Sequence, residues 1–141
     1  MSPLHCTLLV DDDPTTNYLN RKLLEKLRVT DQVMVALNGQ EALEMLTLYC
    51  RQPTPNCPAL IFLDLNMPLL DGFGFLAAYQ ELPLAERQAI VVIMLTTSVH
   101  PRDLERLQEL PAAGLLTKPL NSAKISQVLQ DHFGWQHPLP E

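Results

Sequence analysis

The sequence predicts an α/β domain: a doubly wound, five-stranded parallel sheet in the order 2-1-3-4-5, with helices on both faces. Three observations carry that expectation. Leu60-Ile61-Phe62-Leu63 is an unbroken apolar run that ends on Asp64, the pattern of a strand covered by helices on both sides. Four further short apolar runs alternate along the chain with segments of helical periodicity, the order expected of parallel strands joined by right-handed crossovers. Four of the five runs also end in polar residues, where the carboxyl edge of such a sheet gathers its ligands near the point at which strand order reverses.

The elements follow in order. Thr7-Leu8-Leu9-Val10 is a strand stopped by Asp11-Asp12-Asp13-Pro14. Asp13 fits an N-cap and Pro14 the first helical position. Tyr18, Leu19, Leu23, Leu24 and Leu27 then recur at helical spacing as the expected inner face, and the helix ends near Arg28. Val33-Met34-Val35-Ala36 is the second strand. Asn38-Gly39 opens a helix whose Ala42, Leu43, Leu46 and Tyr49 face inward and which ends near Cys50. Pro53, Pro55 and Pro58 mark a stiff connection rather than a domain linker. After the third strand, Met67-Pro68 and Asp71-Gly72 turn the chain into a helix carrying Phe73, Leu76, Ala77 and Leu82, stopped by Pro83. Ile90 to Leu95 is the fourth strand, ending at Thr96-Thr97-Ser98. Pro101 and Asp103 start a helix with Leu104, Leu107 and Leu110 inward, stopped by Pro111, and Gly114-Leu115-Leu116-Thr117 is the short fifth strand. Asn121 or Ser122 caps the last helix, with Ile125, Val128, Leu129 and Phe133 inward and Gly134 at its end. Residues 1–134 thus read as one domain and 135–141 as a flexible tail.

Composition narrows the function classes. A chain of 141 residues, 47% hydrophobic, can bury one core without metal or disulfide support. A formal charge of -6 and the lack of any basic run argue against nucleic acid as a partner. The start Met1-Ser2-Pro3-Leu4-His5 has no basic leader, and the longest apolar run, Ala89 to Leu95, is far short of the roughly 20 residues of a membrane span. No membrane partner is expected, and the location expected is the cytoplasm. Cys6, Cys50 and Cys57 form no CxxC and leave one over, which reads as three reduced thiols. His5, His100, His132 and His137 fall at no metal-ligand spacing and read as surface or loop residues.

The strand ends converge. Asp11 and Asp12 close strand one, Asp64 strand three, Thr96 strand four and Lys118 strand five. Carboxylates about 4 Å apart repel by about 4 kcal/mol per pair at an effective dielectric near 20. Such a cluster calls for a cation, and an all-oxygen donor set with remaining waters selects a hard one, Mg²⁺, with Mn²⁺ as the alternative. With the metal bound, Asp64 can act as a nucleophile toward phosphorus, with Lys118 and Thr96 supplying a charge and a hydroxyl. Asp71 reads as a turn or helix cap rather than a ligand.

With these residues in place, the chain resembles the response-regulator receiver domains of two-component signalling, over nearly its whole length, and so shares their flavodoxin-like fold. The resemblance implies that Asp64, within Asp64-Leu65-Asn66-Met67-Pro68-Leu69-Leu70-Asp71-Gly72, is the phosphoacceptor. It implies that Asp11, Asp12, Asp64 and the Asn66 carbonyl hold Mg²⁺. Thr96 matches the switch hydroxyl, Lys118 in Thr117-Lys118-Pro119 the lysine that pairs with the phosphoryl group, and Asn66 and Ser98 the positions that tune dephosphorylation. It also implies a cis Lys118-Pro119 peptide. Leu115 stands where the family often carries Tyr or Phe, so the aromatic switch is replaced. The implied donor is a histidine kinase or histidine phosphotransfer protein, the output an unidentified protein target, and the chain a monomer or weak homodimer that is no turnover enzyme. A haloacid-dehalogenase-like phosphatase is the enzymatic alternative, but it needs a second Asp two residues after the nucleophile, and Asn66 cannot transfer that proton. A flavodoxin-type FMN binder would need a phosphate loop where Asp11-Asp12-Asp13 repels phosphate. An inert receiver-like scaffold is the last alternative.

Overall fold

The computed structural model of the chain describes residues 3–51, 56–83, 90–136 and 138–139. Pro53 and Pro55 of the expected stiff connection, and His137, lie outside the described residues. The elements run β1 (Leu4–Val10), α1 (Pro14–Lys26), β2 (Thr30–Ala36), α2 (Gly39–Tyr49), β3 (Leu60–Asp64), α3 (Gly72–Gln80), β4 (Val91–Thr96), α4 (Pro101–Leu107), β5 (Gly114–Thr117) and α5 (Ser122–Phe133). The strands form one parallel sheet in the order β2-β1-β3-β4-β5, as the alternation predicts. β1 and β2 begin three residues earlier than their apolar runs, because Leu4 pairs with Thr30 and Cys6 with Gln32. Backbone pairing extends the strands past the hydrophobic signal.

Alternate strand residues supply two cores. Leu8, Val10, Ile61, Leu63, Val92 and Met94 face one side with Ala42, Leu46, Phe75 and Leu76 of α2 and α3. Leu9, Leu60, Phe62, Ile93 and Leu95 face the other with Leu24 of α1 and Ile125 and Leu129 of α5. This period-2 division is why the strands read as continuous apolar runs. The helix caps follow the sequence. Asp13, Asn38, Asp71 and Asn121 each accept a backbone N–H from the first turn that follows, and Gly134 ends α5 with φ 64, a left-handed conformation that glycine adopts without steric cost.

Several expectations are corrected. In α1, Tyr18 and Leu19 are 57% and 60% exposed, while Asn17 is buried. The helix is rotated from the face predicted, because the Asn17 Nδ2 donates to the carbonyl oxygen of Asp11 at 2.8 Å. In α3, Phe73 and Leu76 are buried as expected and Phe75 and Tyr79 are buried with them, but Ala77 is exposed. α4 is only seven residues long and buries none of them, so Leu104 lies exposed. Trp135 and Leu139, assigned above to a loose tail, pack against the α1/α5 core, and the Trp135 N–H donates to the Leu129 carbonyl at 3.1 Å.

The cysteines depart furthest from expectation. Cys50, which caps α2, and Cys57, three residues before β3, are joined by a disulfide with Cα atoms 4.9 Å apart. The crossover from α2 into β3 brings them together, a proximity that sequence spacing does not reveal. Cys6 alone is free and buried, and burial pushes its thiol up to about 11.

Candidate functional site

The carboxyl edge of the sheet assembles the site. β1 ends at Val10, placing Asp11 and Asp12 at the rim, and β3 ends on Asp64 itself. Lys118 follows β5, held by its own N–H donating to the Thr96 carbonyl at 2.7 Å, and the Lys118-Pro119 peptide is cis, as expected. α3 starts hard against the end of β3: a Cβ on Gly72 would lie 2.6 Å from the Met94 methyl and 2.9 Å from the Asp64 carbonyl oxygen. Glycine there lets the helix begin directly above Asp64, and Asp71 caps it, with Oδ1 accepting the Gly74 N–H at 2.8 Å. Asp71 is thus a cap, as its place in the sequence implies.

Asp11, Asp12 and Asp64 each present a carboxylate oxygen within 4.8 Å of the others. Asp11 and Asp64 are buried and Asp12 is exposed. The Lys118 Nζ bridges the buried pair, donating to Asp11 Oδ2 at 2.8 Å and lying 3.2 Å from Asp64 Oδ1. Asp11 Oδ1 accepts the Asp13 N–H at 2.9 Å, so both Asp11 oxygens are engaged. Asp64 has less support: the Asn66 N–H reaches Oδ1 only at 3.4 Å.

Burial, reinforced by the negative charge of Asp11, raises the Asp64 carboxyl above the usual carboxylate range, and Lys118 only partly opposes this. For Lys118, burial is the largest single influence and pulls the ammonium down. The Asp11 hydrogen bond and the charges of Asp64 and Asp11 together override it, and the net displacement is upward. Asp64 is therefore a desolvated carboxylate that shares a single ammonium with Asp11. The donor set, three carboxylates converging at the edge of solvent, fits a hard divalent cation taking oxygen ligands and water.

The other predicted residues are arranged more loosely. Thr96 is buried, and its hydroxyl donates to the Ser98 carbonyl at 2.7 Å. Ser98 is exposed, with Oγ 3.4 Å from His100 Nε2. Asn66 is exposed beside Asp64. Leu115 pairs with Met94 and packs against the α2/α3 core. Sequence reasoning missed Asn17, which ties α1 to the backbone of Asp11. Its signal was its position seven residues, two helical turns, before the buried Leu24. It also missed Arg106 of α4, whose guanidinium stacks 3.8 Å over the Phe73 ring of α3.

A doubly wound sheet with a lysine-bridged acidic rim at its switch point has the donors for a cation rather than those of a dinucleotide cradle. Comparison with known proteins agrees. The family described as response regulator receiver domain matches residues 7–130. The response regulator Rcp1 of Synechocystis is 31% identical over 132 residues, covering 92% of this chain and 86% of its own. A probable chemotaxis protein CheY of Rhizobium etli is 30% identical over 127 residues, covering 90% and 91%. Among solved structures, the bacteriophytochrome response regulator AtBRR superposes with a TM-score of 0.74 at 31% identity, covering 96% and 97%. The chain belongs to the response regulator receiver domain family.

Proposed function

We propose that the chain is a phosphoacceptor, with Asp64 taking a phosphoryl group from a phosphohistidine on a histidine kinase or histidine phosphotransfer protein. The observation that carries this reading is the Asp64 carboxylate, desolvated at the rim, with the Lys118 ammonium 3.2 Å away and two further carboxylates clustered beside it. An Asp64 oxygen forms the new bond to phosphorus as the phosphorus–nitrogen bond breaks; the imidazole leaves with that electron pair and takes up a proton. Asp11, Asp12, Asp64 and the Asn66 carbonyl are the groups that would hold Mg²⁺ or Mn²⁺, which when bound neutralises charge on the phosphoryl oxygens. Phosphorylation converts the Asp64 carboxylate into an acyl phosphate, so Lys118 loses one anionic partner and can turn to a phosphoryl oxygen. The Thr96 hydroxyl is the second donor, freed when it releases the Ser98 carbonyl. Asn66 and Ser98 are both exposed, and at the positions where receiver domains tune dephosphorylation we assign them the setting of the hydrolysis rate. The output is a change in affinity for a protein partner, through the loop between β4 and α4, and not turnover of a substrate.

No helix among the described residues is long and apolar enough to cross a membrane, and we place the chain in the cytoplasm with its donor. Burial of both Cys50 and Cys57 shields their disulfide from the cytoplasmic thiol pool. The test is intact mass after incubation with acetyl phosphate and Mg²⁺. One added phosphate on the native chain and none on Asp64→Asn is the expected result; equal labelling of both, or none on either, ends this reading.

A further inference from the structure

Lys118 has the weakest footing of the rim residues. β3, which ends on Asp64, is buried at every position, whereas β5, the four-residue strand that delivers Lys118, is the outermost of the sheet and buries none of its residues. The Lys118 N–H turns inward to the Thr96 carbonyl at 2.7 Å. The carbonyls on either side, those of Thr117 and Pro119, have no strand beyond β5 to bond with, since an edge strand leaves such groups unpaired. Lys124 of α5 takes both. Its Nζ donates to the Thr117 carbonyl at 2.6 Å, to the Pro119 carbonyl at 2.9 Å and to the Thr117 hydroxyl at 3.4 Å. All three donors of the ammonium are thereby used.

Helix energetics would not place a cation there. Asn121 caps α5 and accepts the Lys124 N–H at 2.8 Å, so Lys124 is the third residue of the first turn. A capping box gives that position to Glu or Gln, and the positive end of the helix dipole disfavours a lysine. The first turn holds no acidic residue to offset the charge. The helix that carries Lys124 is itself firmly seated, with Ile125, Val128 and Leu129 buried. A cation thus sits at an unfavourable point of a rigid element, with every donor spent on the chain around Lys118.

We propose that Lys124 is a positioning residue for phosphoryl transfer to Asp64: it fixes the backbone on both sides of Lys118 and so aims the Lys118 ammonium between Asp11 and Asp64. The proposal rests on the phosphoacceptor reading of Asp64. Lys118 Nζ lies 2.8 Å from Asp11 Oδ2 and 3.2 Å from Asp64 Oδ1, at the end of a flexible four-carbon stem, so its aim depends on where its Cα is held. When an acyl phosphate replaces the Asp64 carboxylate, the ammonium has to swing to a phosphoryl oxygen while its backbone stays in place. Misplacing such a group by about 1 Å costs up to about a hundredfold in rate. A brace that only stabilised the edge strand would matter equally with or without the Lys118 side chain, and the two roles separate on that point.

The test is a double-mutant cycle on the native chain, Lys124→Met, Lys118→Met and the double variant, each labelled by acetyl phosphate at saturating Mg²⁺, with thermal melts on all four. Methionine keeps the apolar stem and removes every donor. The expected result is a loss of about tenfold in labelling rate on Lys124→Met in the native background, and of less than about twofold where Lys118 is already methionine. The second readout needs neither metal nor phosphate. In the chain labelled with carbon-13 at the lysine ε-carbons, the Lys118 methylene, identified by its loss in Lys118→Met, should show inequivalent protons in the native chain and an averaged signal in Lys124→Met. Lys124→Gln, which keeps N–H donors without the charge, should fall between the two on both readouts, and it carries the comparison if Lys124→Met does not fold. An unchanged labelling rate, an equal loss in both backgrounds, or an unmoved Lys118 signal overturns the proposal. If the native chain takes no phosphate, it is the phosphoacceptor reading that falls, and the Lys118 signal still decides whether Lys124 holds Lys118 in place.

Discussion

Reduction of the Cys50–Cys57 disulfide is the perturbation whose magnitude follows most directly from the structure. The two cysteines lie seven residues apart in sequence. In the chain-entropy description the crosslink restricts the unfolded ensemble, and a loop of that size corresponds to about 2.4 kcal/mol of stability. For a domain of this length the loss lowers the melting temperature by about 8 °C. The assay is a pair of thermal melts, one on the oxidised protein and one after reduction in denaturant and refolding in a dithiol, with alkylation and mass measurement counting thiols in each. Cys6 serves as an internal reference, being the one thiol that should alkylate in the unfolded, unreduced chain. Because the bond precedes the amino end of β3 and Asp64 closes its carboxyl end, labelling by acetyl phosphate should survive reduction. Three alkylated thiols before reduction, or identical melting temperatures afterwards, would refute the reasoning.

Three further outcomes are expected. Asp12→Ala should leave the fold intact and weaken Mg²⁺ binding sharply, since it removes the exposed member of the carboxylate cluster; unchanged affinity in a titration would show that the metal sits elsewhere. Lys118→Met should destabilise the metal-free chain by about 2 kcal/mol, less than a fully buried pair because the lysine side chain is one-fifth exposed, and millimolar Mg²⁺ should restore part of the loss in a denaturant titration. The Cys6 thiol is raised from 9.0 to about 11 by burial. Its contribution is therefore fully present below pH 9 and falls between pH 9 and 11, where only the unfolded thiol ionises, at about 1.4 kcal/mol per pH unit. Cys6→Ala should flatten the alkaline limb of the stability curve, and superimposable limbs would contradict the burial argument.

The architecture was legible because it rests on signals local to the chain. Leu60 to Leu63 had to be covered on both faces, and Asp13, Asn38, Asp71 and Asn121 each mark a helix start through their own side chains. The rim residues were legible for the same reason, since parallel strands that stop on Asp11, Asp64, Thr96 and Lys118 must present them at one edge. What was not legible depends on packing between elements. Helical spacing admits Tyr18 and Leu19 to the inner face of α1 as readily as Asn17, and only the bond to the Asp11 carbonyl decides the rotation. Three cysteines with one left over look unpaired until the α2–β3 crossover sets two Cα atoms 4.9 Å apart. Trp135 and Leu139 follow a helix-ending glycine and read as tail, but the groove between α1 and α5 leaves apolar surface for them to cover.

Leu115 decides how a phosphorylation signal could leave the site. To act as the family's aromatic does, it would have to leave the core it packs against, exposing apolar surface at about 25 cal/mol per Å² without forming any new polar interaction. The loop after β4 offers an easier path. Thr97, Ser98, Val99 and His100 are all exposed, α4 buries no residue, and its N-cap His100 makes no side-chain bond to the helix. The described hydrogen bonds of Thr96 to this loop run through its hydroxyl, which donates to the Ser98 carbonyl at 2.7 Å and accepts the Ser98 N–H at 3.3 Å. Turning that hydroxyl toward a phosphoryl group gives up one net hydrogen bond, worth about 1 kcal/mol, and replaces it with one to an anion, which is stronger. The loop then follows Thr96, and the start of α4 moves with it while Arg106 keeps the far end stacked on Phe73. The expected outcome is a shift of residues 97–100 with the Leu115 rotamer unchanged, a population shift carried by a loop. Side-chain methyl spectra recorded with and without beryllofluoride, which stands in for the phosphoryl group, report both. A Leu115 rotamer change with a stationary loop would sink this mechanism.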